Sequence, residues 1–329
     1  MSSPLVCLSE VGKQYQQLDA LKSVSITLNE GEVLGLFGHN GAGKTTMMKL
    51  ILGVISPSHG EVKVMGVTPD TKASWQIRKK IGYLPENVSF YEHLTGLEVL
   101  TYFAKLKGFN GYNAKQHAMA LLEQVGITHA MKRQVKTYSK GMRQRLGLAQ
   151  AFIGEPKLLL LDEPTVGLDP IATSDFYETV DKLKSNGSSV ILCSHVLPGV
   201  EQHIDRAMIL SRGNVLAMGT FRDLRKQANL PVVIKSSGVS DFLSAHDGLS
   251  RYISANCPNT LHIPVEEKIL VLRELLAQED LMDIQIDEGN LEQVYQHFLC
   301  AESLDHNPSI SSKQAQPHDL EMQQKELLL

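Results

Sequence analysis

Eight residues, Gly38-His39-Asn40-Gly41-Ala42-Gly43-Lys44-Thr45, hold the spacing G-x-x-x-x-G-K-T. Glycines so placed let successive backbone N–H groups turn inward around anionic oxygens, the arrangement that phosphate binding needs. The ammonium of Lys44 is expected to reach the β- and γ-phosphates of a bound nucleotide, and the hydroxyl of Thr45 a Mg²⁺ ion. Thr46 follows at the same helix start. A second stretch, Lys157-Leu158-Leu159-Leu160-Leu161-Asp162-Glu163, is an apolar run that ends in two acids. Asp162 suits the Mg²⁺ shell, and Glu163 suits a water attacking the γ-phosphate, which it would orient or deprotonate. His195 ends a further apolar run, 189–194, with N–H groups able to donate to a phosphoryl oxygen. In Tyr138-Ser139-Lys140-Gly141-Met142, a serine hydroxyl and bare N–H groups at a helix start form another anion site. Tyr15, upstream of the loop, offers a ring that can stack on a nucleotide base.

These residues need elements to carry them. Val33–Phe37 reads as a strand into the glycine-rich loop, and residues 46–52 as the helix leaving it. Residues 5–9 and 23–28 read as short antiparallel strands, with Gly12 and Asn29-Glu30-Gly31 as turns, and 61–65 as an alternating strand that completes a small β unit. Lys80–Glu86 is a short strand that Pro85 must end. Thr95-Gly96-Leu97-Glu98 predicts a capping box for a helix to about Lys107, and a second helix is expected at 114–125. Leu158–Glu163 is a buried parallel strand delivering carboxylates at its C-terminal edge. Gly167-Leu168-Asp169-Pro170 turns into a helix with proline at its first position.

The 329 residues suffice for two domains, with 43% hydrophobic and 21% charged side chains. A net charge of −4 supplies no basic field of the kind that nucleic-acid binding needs, so no nucleic-acid partner is expected. Four scattered cysteines, Cys7, Cys193, Cys257 and Cys300, suit a reducing cytoplasm. No run approaches the roughly 18 apolar residues of a spanning helix, so a membrane role has to come through a partner.

With Gly38–Thr45, Tyr138–Met142, Leu158–Glu163, Gly167-Leu168-Asp169 and His195 in this order, residues 1–227 resemble the nucleotide-binding subunit of an ABC transporter. The resemblance implies an α/β P-loop NTPase fold: a RecA-like core, an antiparallel β subdomain and a helical subdomain at about 87–155. It implies ATP and Mg²⁺ as cofactors, ATP contacts from Tyr15 and from Gly38 through Thr46, Glu163 as catalytic base and His195 as γ-phosphate sensor. Two copies are expected to pair head to tail. Ser139 and Gly141 then meet ATP held by the partner, and Asp169 serves communication across the dimer. The chain is expected to sit on the cytoplasmic face of the cell membrane, bound to an integral permease subunit. Two positions depart from the common pattern. Lys140 stands where many members have glycine. Glu86 stands where many have a glutamine that touches Mg²⁺, and a carboxylate brings charge without an N–H donor.

The Leu-Pro-Glu loop and Ser-Lys-Gly-Met are similar to exporter ATPases with ABC-2-type membrane subunits. From the run 35–45 onward the chain most resembles the copper-processing ATPases of nitrous oxide reductase maturation, which act with a periplasmic maturation protein. Drug, sodium, haem (cytochrome c maturation) and polysaccharide exporters share most of these motifs. Soluble ABC ATPases that act on ribosomes or DNA form a further class, typically with two cassettes in one chain. Residues 228–300 read as a small α+β accessory domain, with strands at 231–235 and 282–286 and helices at 268–278 and 291–299. Residues 301–329, rich in Ser, Gln, Pro and acids, are expected to form a disordered tail.

Overall fold

The computed structural model describes residues 4–195, 197, 199–239, 242–243, 246, 248–254 and 257–305. Strands β1 (Val6–Tyr15) and β2 (Leu18–Leu28) form an antiparallel hairpin, both longer than the sequence reading has them. Gly12, expected as a turn, lies inside β1. A Cβ there would sit 1.9 Å from the His59 ring, so the glycine makes room for that ring. The reversal falls at Gln16, whose φ is +52°. β3 (Val33–Phe37), buried at every position, leads into the glycine loop and α1 (Lys44–Ile51). β4 (His59–Val64) returns to pair with β1. A short α2 (Trp75–Arg78) precedes β5 (Ile81–Leu84).

The expected capping box starts α3 (Gly96–Leu106): the Thr95 hydroxyl accepts from the Glu98 N–H, and the Glu98 carboxylate accepts from the Thr95 N–H. α4 (Gly111–Gln124) starts three residues earlier than the sequence suggests, because the Asn110 side chain caps it by accepting the Asn113 N–H at 3.0 Å. α5 (Lys140–Ala151) begins after Ser139, β6 is Leu158–Asp162, and α6 (Pro170–Ser185) has its proline at the first turn. Then follow β7 (Ser189–Ser194), the hairpin β8 (Arg206–Ser211) and β9 (Asn214–Gly219), and α7 (Phe221–Ala228).

The central sheet runs β5-β6-β7-β3-β8-β9, parallel except for the β8–β9 hairpin. β7 thus separates β3 from β6 by one strand, with Phe37 beside Ser194 and Asp162 beside Cys193. The glycine loop, the two acids and His195 therefore leave one carboxyl edge, where ligands of parallel sheets bind. Side chains alternate across this sheet. Leu34, Leu36, Leu158, Leu160 and Ile191 face α1 and the β2-β1-β4 sheet; Val33, Phe37, Leu159, Leu161, Val190 and Leu192 face the helices on the other side.

The C-terminal part has its own antiparallel sheet, ordered β11-β12-β10-β13, from β10 (Val232–Ser237), β11 (Ile253–Ser254), β12 (Cys257–Ile263) and β13 (Asp283–Asp287). β13 is its edge strand, mostly exposed, with Asp283 and Asp287 at its ends. Helix α8 (Lys268–Leu276) adds Val271 and Leu275 to the core that Val232, Ile234 and Leu261 build there. α9 (Leu291–Asp305) leaves this sheet and buries Leu291 and Val294 in the core of the central sheet, together with Leu224 of α7. α9 also continues through 301–305, which the sequence reading assigns to the tail. No glycine or proline interrupts Leu299–Asp305, so nothing stops the helix at 300. The rest of that expected tail, 306–329, lies outside the described residues.

Candidate active site

The loop between β3 and α1 is built for backbone approach. Gly41 and Gly43 have φ of +84° and +113°, a region that favours glycine. A Cβ on Gly43 would lie 2.7 Å from the Ala20 carbonyl oxygen, and one on Gly38 would lie 2.5 Å from the Leu210 carbonyl oxygen. The first N–H groups of α1 have no intrahelical partner and mark the positive end of its dipole. Lys44 is 7% exposed and folds back, donating to the Gly38 carbonyl and, at 3.2 Å, to that of His39. The His39 ring is engaged within the protein, 3.1 Å from Ser211 Oγ and 2.8 Å from the Asn40 carbonyl.

A cavity of about 810 Å³ opens over this loop. It is lined by His39–Thr46, by Asp162 and Glu163, and by Tyr15 and Glu86. Tyr15 is 41% exposed, with the Lys13 ammonium 5.3 Å from its ring centre. The Thr45 hydroxyl donates to Asp162 Oδ2 at 3.1 Å. Burial pushes the Asp162 carboxyl above the usual range; the Glu163 and Glu86 charges add to this, against the pull of Thr45 and Lys44. These hard oxygen donors suit Mg²⁺, since a divalent cation would offset the cost of keeping Asp162 ionised.

Glu163 is 5% exposed and adopts φ +51°. Its N–H donates to the Cys193 carbonyl at 3.0 Å. Its Oε2 accepts from the His195 N–H at 3.2 Å and lies 2.7 Å from His195 Nδ1. The remaining candidates form a second group outside the cavity. Ser139 is exposed and caps α5 by accepting the Met142 N–H at 3.2 Å. Gly141 abuts the Gly167 carbonyl, and Asp169 caps α6 by accepting the Ala172 N–H at 2.8 Å. Sequence reasoning missed part of the cavity wall: Gln17, Asp19 and Lys22 from the β1–β2 hairpin, and Arg212 from the β8–β9 turn. The Ser211-Arg212-Gly213-Asn214 stretch does signal a turn, but not what it faces. Gly213 joins the two regions, with its N–H on the Ala42 carbonyl and its carbonyl accepting from Lys22 N–H.

A family model described as ABC transporter matches residues 21–166. The linearmycin resistance ATP-binding protein LnrL of Bacillus subtilis is 33% identical over 297 residues, covering 87% of this chain and 95% of its own. The chain belongs to the ABC transporter ATP-binding proteins. The bacitracin transport ATP-binding protein BcrA of Bacillus licheniformis is 31% identical over 309 residues, covering 89% and 96%. An uncharacterised ABC transporter ATP-binding protein of Synechocystis is 40% identical over 223 residues, 67% of this chain, which spans 62% of that relative. Among solved structures, an ATP-binding subunit of an ABC transporter superposes with a TM-score of 0.62 at 32% identity, over 68% of this chain and 92% of the other. A dimeric ATP-binding cassette in a post-hydrolysis state, bound to ADP and Pi, gives 0.62 at 27% identity, over 66% and 99%. As in these cassettes, the ABC ATPase domain binds and hydrolyses ATP. No helix among the described residues is long and apolar enough to cross a membrane.

Proposed function

We propose that this ABC protein is the ATP-hydrolysing subunit of an exporter, that two copies close head to tail around ATP, and that closure drives a separate membrane-spanning subunit at the inner face of the cell membrane. The observation that carries the reading is the convergence of Thr45, Asp162 and Glu163 over the phosphate loop. Tyr15 stacks on the base, Lys44 and the loop N–H groups hold the phosphates, and Thr45 and Asp162 hold Mg²⁺, which when bound neutralises charge on the β- and γ-phosphates. Glu163 orients the attacking water and takes its proton, while His195 turns from Glu163 toward the γ-phosphate. Ser139, exposed, and Gly141, half-buried, both outside their own cavity, are placed to meet ATP held by a second copy, with Asp169 beside them. Glu86 in the cavity lining serves coupling to the permease more than Mg²⁺ binding.

The matches to LnrL and BcrA extend beyond the cassette into the C-terminal part, and this supports an exporter of the antibiotic-resistance kind. The narrower copper-site maturation reading, with its periplasmic partner, keeps only the support of the run 35–45. Two experiments test the proposal. Glu163→Gln should bind ATP, accumulate as a closed dimer and lose hydrolysis by about 10²–10⁴-fold; hydrolysis at the native rate removes Glu163 as base. Affinity capture of the tagged chain from detergent-solubilised membranes should recover a multi-spanning permease. A co-purifying periplasmic copper-site protein would move the reading to copper, and ribosomes without membrane protein would overturn the exporter.

A further inference from the structure

Gln144 is a polar side chain with no part in the reading above, yet it is 6% exposed on the helix that Ser139 opens. Its Nε2 donates to the Glu163 carbonyl at 3.2 Å and to the Pro164 carbonyl at 3.0 Å. Both its hydrogens are thus spent on the two peptide groups that follow the Glu163 Cα. Those peptides need holding, because Glu163 keeps a left-handed φ of +51° that a side-chain-bearing residue adopts at a cost of about 1–2 kcal/mol. Other bonds fix Glu163 from elsewhere: its N–H on Cys193 of β7, and its carboxylate on His195. Gln144 is the tie to α5, and the Val166 N–H closes the turn on the same Glu163 carbonyl at 3.3 Å.

We infer that Gln144 is a positioning residue: it sets the carboxylate of Glu163 from the helix whose N-terminus is offered to the second copy, so that engagement of that helix arms the base of its own subunit. The inference rests on the reading of Glu163 as base and of Ser139 and Gly141 as contacts to the partner's nucleotide. A shift of α5 along its axis would move the amide against both carbonyls and rotate the Glu163–Pro164 peptide. Misplacement of a reacting group by about 1 Å costs on the order of 100-fold in rate, so a small shift suffices.

The test uses the purified full chain with ATP and Mg²⁺. Gln144→Met keeps the side chain's length and removes both donors, and Gln144→Glu keeps its shape but presents a carboxylate to two carbonyls. We expect Gln144→Met to lower kcat by about 10–100-fold with KM and fluorescent-nucleotide affinity unchanged, and to weaken cooperativity in ATP. Gln144→Glu should regain activity relative to the native chain as pH falls, since the protonated acid recovers one donor. Native kcat in Gln144→Met, or nucleotide affinity falling in step with kcat, would overturn the inference. Glu163→Gln run in parallel separates the two failures: if it is inactive while Gln144→Met is fully active, only the role of Gln144 falls, and if it is fully active the base assignment falls first.

Discussion

Asp162 carries the electrostatic cost of the site. The residue is 2% exposed, and its titration is shifted upward chiefly by loss of water. A carboxyl whose folded value lies above its unfolded one favours the folded state at acid pH, and that contribution is lost as pH rises through the folded value. Asp162→Asn should therefore melt higher than the native chain at neutral pH without nucleotide, with the gain shrinking in acid. With Mg²⁺ and ATP the order should reverse, since the native chain alone gains a cation partner. Thermal unfolding at two pH values, with and without MgATP, checks both. Lys44 and Thr45 were legible from sequence because their spacing is local and their chemistry specific, and Asp162, 117 residues from Thr45, because it ends an apolar run. Gln144 was not, because its partners lie 19 and 20 residues away and only the packing of α5 on β6 unites them.

At the scale of elements, the glycine loop is held by neighbours that the sequence does not announce. Gly38→Ala would drive a methyl into the Leu210 carbonyl of β8, so we expect it to cost stability by about 1–3 kcal/mol and to weaken nucleotide binding. Chemical denaturation and nucleotide titration read the two effects. A second element-level device is Lys107, at the C-terminus of α3. Its ammonium donates to the Ile153 carbonyl at 2.8 Å and the Ile81 carbonyl at 3.2 Å, pinning the helix to the end of α5 and the start of β5. Burial lowers its pKa from 10.5 to about 8. Between those values the unfolded chain binds more protons, so this group's contribution to stability rises with pH. The native chain should gain about 2–3 kcal/mol over Lys107→Met from pH 7 to pH 10.5 in denaturant titrations. Helix starts at Thr95 and Ser139 were readable from capping chemistry. The lengths of β1 and β2, and the strands β11 and β12, were not, since pairing partners and not local propensity decide them.

For the whole molecule, α9 ties the last described residues to the central core. Glu288 just before it accepts from Arg225 of α7 at 2.6 Å and from Lys268 of α8. Leu291 is fully buried in the cassette core, so Leu291→Ala should destabilise by about 2–5 kcal/mol, and in calorimetry lower the transition of the cassette itself. Unchanged cassette melting would mean that α9 docks without contributing. Edge strand β13, Asp283-Ile284-Gln285-Ile286-Asp287, reads the same in both directions. Two copies meeting edge to edge about Gln285 would set Asp283 of each against Asp287 of the other, like charges directly opposed. The paired aspartates thus oppose edge-to-edge growth of this half-apolar strand between crowded molecules. In Asp283→Asn/Asp287→Asn, light scattering at high protein concentration should rise with the fold intact.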